Sequence, residues 1–165
     1  MAERLPGILL KEVELQWAYL KEPRIDDDKA KYSADLCNLS KKQANELHKA
    51  GLEIRNGADL KKPKPEKGLF ITAKTGIQPK IVDGDLTRLD GDEVPLVGNG
   101  SIANVFVRPW AWPDKYQTEG RAGISAGLEQ VQLLKVVPYE SKEEDVFEVE
   151  DKYKGEDAEV HVNAP

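Results

Sequence analysis

Cysteine is nearly missing: Cys37 stands alone, so no disulfide can close within the chain. Nothing groups Cys and His at the spacing of a zinc site. A reducing cytosol is the natural setting. Long apolar runs are missing too. The first ten residues hold Glu3 and only the short run Ile8, Leu9, Leu10, too little for the apolar segment of a signal peptide. No stretch approaches the roughly 20 apolar residues of a membrane span, and no membrane contact is expected. Histidine is scarce, with His48 on an expected helix and His161 near the end of the sequence; neither is set as a general base. There is no Walker loop and no dinucleotide fingerprint. Asp26, Asp27 and Asp28 lack the glycine and distal glutamate of a calcium loop. Catalysis, cofactor binding and metal binding are therefore not expected. Cys37, on an expected strand, reads as a small buried apolar residue rather than a nucleophile.

What is present is charge, unevenly placed. The chain of 165 residues is 39% hydrophobic and 33% charged with a net charge of −6, enough for one core but leaning polar. Nucleic-acid binders usually carry a basic balance. Residues 140–165, however, hold ten acids and three lysines, a net of −7, which leaves +1 on residues 1–139. The tail is densest around Glu143, Glu144, Asp145, Phe147, Glu148, Glu150 and Asp151. Its apolar residues are too sparse to offset the entropy of ordering it. We expect residues 1–139 to form one domain and residues 140–165 a flexible acidic interaction tail, with a merely solubilising tail as the plainer alternative.

Along the body, residues 11–20 alternate, with Val13, Leu15, Trp17 and Tyr19 on one face, as a half-buried strand does. Core packing is thus expected for Trp17 and Tyr19. Glu22, Pro23, Arg24 and the three aspartates read as a loop, and residues 32–39 as a second strand. Ser40 with Gln43 forms a capping box and Gly51 a stop, predicting a helix over residues 41–50. The proline-punctuated run Lys61–Lys67 is a basic surface loop that could touch phosphate or only water. Residues 69–74 form a strand with Phe70, Thr72 and Lys74 on one face. Short strands at 80–82 and 94–97 sit among Asp-Gly and Gly-Asn-Gly turns, and longer ones follow at 102–108 and 127–137. Many short strands with one helix suit a small, mostly β barrel of the OB kind better than a parallel sheet.

The most informative segment is Val107, Arg108, Pro109, Trp110, Ala111, Trp112, Pro113, Asp114, Lys115, Tyr116. It holds two of the three tryptophans between prolines and beside cations. Flat rings on a stiff backbone next to positive charge provide what a single strand asks of its binder, faces for bases and neutralisation for phosphates. Either indole could instead point into the core. Candidate stacking residues are Trp110, Trp112, Tyr116 and Phe70. Candidate phosphate contacts are Arg108, Lys115, Lys74, Lys80, Arg88 and Arg121.

Two stretches, residues 104–112 and the glycine-flanked Ser125, Ala126, Gly127, Leu128 entry into the last strand, resemble the phage single-stranded DNA-binding proteins related to the podoviral replication protein. Weaker echoes are Trp17 to Leu20 with Pro23, and Lys31 to Ala34 leading into Ser40, Lys41 and Lys42. The likeness spans most of residues 13–137. It implies an OB fold that coats unwound DNA in replication or recombination, in the cytoplasm of a host cell. It also implies a tail that contacts a replication polymerase or helicase and competes with DNA, and a homodimer. The alternatives left by the residues alone are an oligosaccharide- or protein-binding barrel and a phage structural or assembly protein.

Overall fold

The computed structural model describes residues 2–26, 28–112 and 123–138. Its elements are β1 (Glu3–Arg4), β2 (Ile8–Asp26), β3 (Lys29–Cys37), α1 (Lys41–Lys49), β4 (Arg55–Asn56), β5 (Leu69–Thr75), β6 (Lys80–Val82), β7 (Ser101–Ala111) and β8 (Ile124–Lys135), with short 3-10 turns between them.

Alternation makes the barrel. Along β7, Ala103, Val105 and Val107 are buried while Ile102, Asn104, Phe106, Arg108 and Trp110 occupy the other, partly exposed phase, the period of two that a strand imposes. β2 pairs with β3, β3 with β5, β5 in parallel with β8, β8 with β7, and β7 back with β2. The circuit closes a five-stranded barrel of the OB type and leaves none of those five strands with a bare edge. Inside it pack Leu10, Leu15, Leu36, Ile71, Ile81, Val94, Val105 and Leu128.

α1 enters between the second and third barrel strands as the capping box requires. The Ser40 hydroxyl accepts from the Gln43 amide N–H at 3.1 Å, and the Gln43 side chain accepts from the Ser40 N–H at 3.0 Å. Gln43 also donates to the Lys11 carbonyl at 2.9 Å, tying the helix start to β2. Leu47 is fully buried and joins the main core. This nine-residue helix is the longest among the described residues, and no described helix is long and apolar enough to cross a membrane.

Three expectations need correction. β2 runs through Pro23 to Asp26, and its hairpin with β3 closes at Asp26 and Lys29. Pro23 is accommodated because it falls within the register shift between Tyr19 and Arg24, where a missing N–H costs no ladder bond. Residues 94–97 form no strand: Val94 and Val97 are buried, but the segment pairs only through a single bridge from Val97 to Pro138. Pro95 lacks a ladder donor there. Trp17, expected in the core, is 51% exposed. A shift between Gln16 and Tyr19 breaks the phase of β2, buries Gln16 and turns Trp17 outward with a positive φ of 49°. Tyr19 is half-buried.

Candidate nucleic-acid interface

The outer face of β2, β3 and β5 forms the floor of a groove. Inward Ala34, Leu36, Ile71 and Ala73 leave Ser33, Asp35, Phe70, Thr72 and Lys74 on the opposite side, as the sequence pattern of β5 anticipates. Trp17 and Tyr19 contribute from β2, Arg24 and Lys31 from the protruding hairpin, Arg55 from β4, and Lys64 and Lys67 from the basic loop. Six cations thus line a cavity of about 590 Å³ against one carboxylate, Asp35.

Two devices hold the rings in place. The Trp17 backbone N–H donates to Asn99 Oδ1 at 2.8 Å, satisfying the donor that the bulge removes from the ladder. The Lys64 ammonium lies 5.4 Å from the Trp17 ring centre. The basic loop is pinned at its base, where the Lys64 N–H donates to the Gly57 carbonyl at 2.8 Å and Asn38 donates to the Glu66 carbonyl at 3.0 Å. Phe70 is on the groove side but only 2% exposed. Arg55 and Lys67 sit 5.3 and 5.1 Å from its ring centre, so these cations stand between it and any base. At the floor, buried Lys67 pairs with Asp35, whose second oxygen accepts from the Thr72 hydroxyl at 2.6 Å.

A second cavity, of about 1160 Å³, continues around the barrel over β5, β8 and the end of β7. Lys31, Thr72 and Lys74 line both cavities, which makes the two one continuous surface. Lys80, Arg88, Arg108, Trp110 and Trp112 belong to this second part, with Glu53 and Glu129 as its carboxylates. Trp110 is half-buried on the outer phase of β7. Its indole lies over Gly127, where an added Cβ would fall 2.8 Å from Nε1. Trp112 is 39% exposed and its Nε1–H donates to the Ser125 hydroxyl at 2.7 Å. Neither indole is sealed in the core.

The cations differ in availability. Lys74 and Lys80 are exposed, and Arg88 is exposed although it pairs with Asp90 at 3.0 Å. Arg108 grips Glu129 through two nitrogens at 3.0 and 3.2 Å and donates to the Leu5 carbonyl at 3.0 Å. That bidentate bond raises the Arg108 pKa and holds the Glu129 carboxyl below its ordinary range. Arg108 therefore acts as a brace of the second cavity. Burial pushes the Cys37 thiol up to about 12, which keeps it neutral and inert. Tyr116, Lys115, Arg121 and the tail residues Glu143, Glu144, Asp145, Phe147, Glu148, Glu150 and Asp151 lie outside the described residues.

Sequence reasoning missed Trp17, Arg24, Lys31, Arg55, Lys64 and Lys67 as members of one site. The basic loop was visible as a lysine cluster, but its placement opposite Trp17 depends on folding contacts between segments about 50 residues apart.

A closed five-stranded OB barrel bearing a cation-lined, tryptophan-edged groove defines the class. Solved structures place it further. The chain is similar to the single-stranded DNA-binding protein from bacteriophage Enc34 in complex with single-stranded DNA, at 21% identity over 81% of this chain and 89% of that one, with a TM-score of 0.61. It is also similar to gp2.5, a single-stranded DNA-binding protein encoded by bacteriophage T7, at 16% identity over 88% of this chain and 99% of that one, with a TM-score of 0.60. No family model and no curated protein sequence matches the chain.

Proposed function

We propose that the chain binds single-stranded DNA without sequence recognition and coats strands opened during phage DNA replication or recombination. The observation that carries this is the continuous cationic groove with Trp17, Trp110 and Trp112 along it. Base stacking on such rings contributes about 1–3 kcal/mol per base and accepts any base, while lysines and arginines that neutralise phosphates release counterions. The likeness to a protein solved with single-stranded DNA bound supports the same reading. No catalytic step is part of it.

In this reading residues 1–139 are the binding domain and residues 140–165 an acidic tail. The tail's net charge of −7 competes with phosphate for the groove and offers a docking segment to a replication polymerase or helicase. The setting is the host-cell cytoplasm, and a homodimer is the expected assembly.

Tryptophan fluorescence during titration with a mixed-sequence oligonucleotide, at low and high salt, tests the core claim. Quenching with a dissociation constant that rises steeply with salt is expected. Affinity indifferent to salt points instead to a sugar or protein ligand and overturns the reading.

A further inference from the structure

The groove over β2, β3 and β5 contains one group that a phosphate-binding surface does not call for. Asp35 is a carboxylate on its floor, set between the Trp17 and Tyr19 side and Phe70, and its side chain is 17% exposed. Its negative charge opposes phosphate. A buried ion pair is also weak ground for stability, since apolar residues of similar volume often replace such a pair without loss. The pair nevertheless fixes the carboxylate's position, because Lys67 holds one oxygen and the Thr72 hydroxyl the other.

Resting on the proposed DNA binding, we infer that Asp35 is a specificity-determining residue that biases this part of the groove toward bases carrying an exocyclic amino group. An ionised carboxylate has about four acceptor positions; among the described residues, Lys67 and Thr72 use two of Asp35's. What remains on the groove side can accept hydrogen bonds and cannot donate them. A base that slides edge-first toward the floor, with its face along the rings, meets that acceptor. Cytosine offers its N4 amino group there, and adenine its N6 amino group. Uracil and thymine offer the O4 carbonyl at the same position, which sets acceptor against acceptor; their one edge donor, N3–H, lies one atom further along and reaches the carboxylate only if the base shifts in the groove. A site built to receive a donor rejects the analogue lacking it far more strongly than an apolar pocket rejects a change of size.

Binding is then general but not neutral, with the stacking rings indifferent to base and the floor tilting the balance. The test uses the full chain and three homopolymers of equal length, built from deoxycytidine, deoxyuridine and N4,N4-dimethyldeoxycytidine. The first two differ at the amino-bearing edge with little change in ring size, and the third keeps the cytosine ring while removing its amino donors. The deoxycytidine strand is expected to bind at least about five-fold more tightly than deoxyuridine, the low end for a good paired edge contact. The dimethyl strand is expected to fall to the deoxyuridine level. In Asp35→Asn, checked for folding by its melting curve, the preference should drop below two-fold. Equal wild-type binding of deoxycytidine and deoxyuridine overturns the inference, as does a dimethyl strand that binds like deoxycytidine. A folded Asp35→Asn that keeps the full preference overturns it too. These outcomes leave general DNA binding intact, whereas failure of all three strands to bind removes the proposed function itself.

Discussion

At Gly127 the backbone makes room for an aromatic ring. A Cβ there would stand 2.8 Å from Trp110 Nε1 and 2.9 Å from the Arg108 carbonyl oxygen, so the indole or β7 must move. Gly127→Ala is expected to lower stability by about 1–3 kcal/mol, the usual cost of overpacking. It should also change Trp110 emission, and thermal melting with fluorescence reads both. Lys67 gives a contrasting case. Its side chain is 4% exposed and, among the described residues, its ion-pair partner is Asp35. Asp35→Ala strands that charge and should cost about 3–5 kcal/mol in denaturant unfolding, whereas the double replacement Asp35→Leu with Lys67→Met should return close to wild type. A double variant as unstable as Asp35→Ala would show that the pair's geometry, and not only its mutual neutralisation, holds the groove floor together.

Bulges decide what the elements present. The irregular passage of β2 at Trp17 rests on one side-chain acceptor, Asn99 Oδ1. Asn99→Ala should therefore weaken oligonucleotide binding, by less than the loss of about 1–3 kcal/mol expected for Trp17→Ala itself. Titrating the two variants side by side measures the difference. The β7–β8 pair carries the pH dependence. Because Arg108 holds the Glu129 carboxyl below its ordinary value of 4.5, the native state favours the ionised form. The resulting stability is complete above that value and is lost as pH falls through the lower, folded one. Acid unfolding of Glu129→Gln should accordingly be less steep below about pH 4.5 than that of wild type. What could be read in advance follows the same division. The capping box at Ser40 and Gln43 and the phase of β5 are local patterns, and they located α1 and the shared face of Phe70, Thr72 and Lys74, whereas the sequence left open which way Trp110 points, and its outer phase is visible only in the folded β7. Trp17 obeys the alternation of its neighbours up to Gln16 and then departs from it. The N–H freed there is accepted by an asparagine 82 positions away, and no periodicity within residues 11–20 carries that information. Arg108 was legible as a cation beside aromatics, but its commitment to Glu129 became visible only with β8 alongside.

For the molecule as a whole, charge separation is the feature most open to measurement. Residues 140–165 bring −7 to a chain whose remaining residues carry +1, while the groove over β2, β3 and β5 alone gathers six cations around one carboxylate. In the proposed reading this attached anionic segment acts as an intramolecular ligand that competes with phosphate for the groove. A chain ending at residue 139 should bind single-stranded DNA more tightly than the full chain at low ionic strength. Its advantage should shrink as salt rises, because the Debye length falls from about 30 Å at 0.01 M to about 3 Å at 1 M. Titrations of both chains across that range distinguish two roles for the tail. Competition gives affinities that converge with salt, whereas equal affinity for the two chains at every salt concentration would show that the tail does not compete and leave it only as a docking segment or a solubilising one.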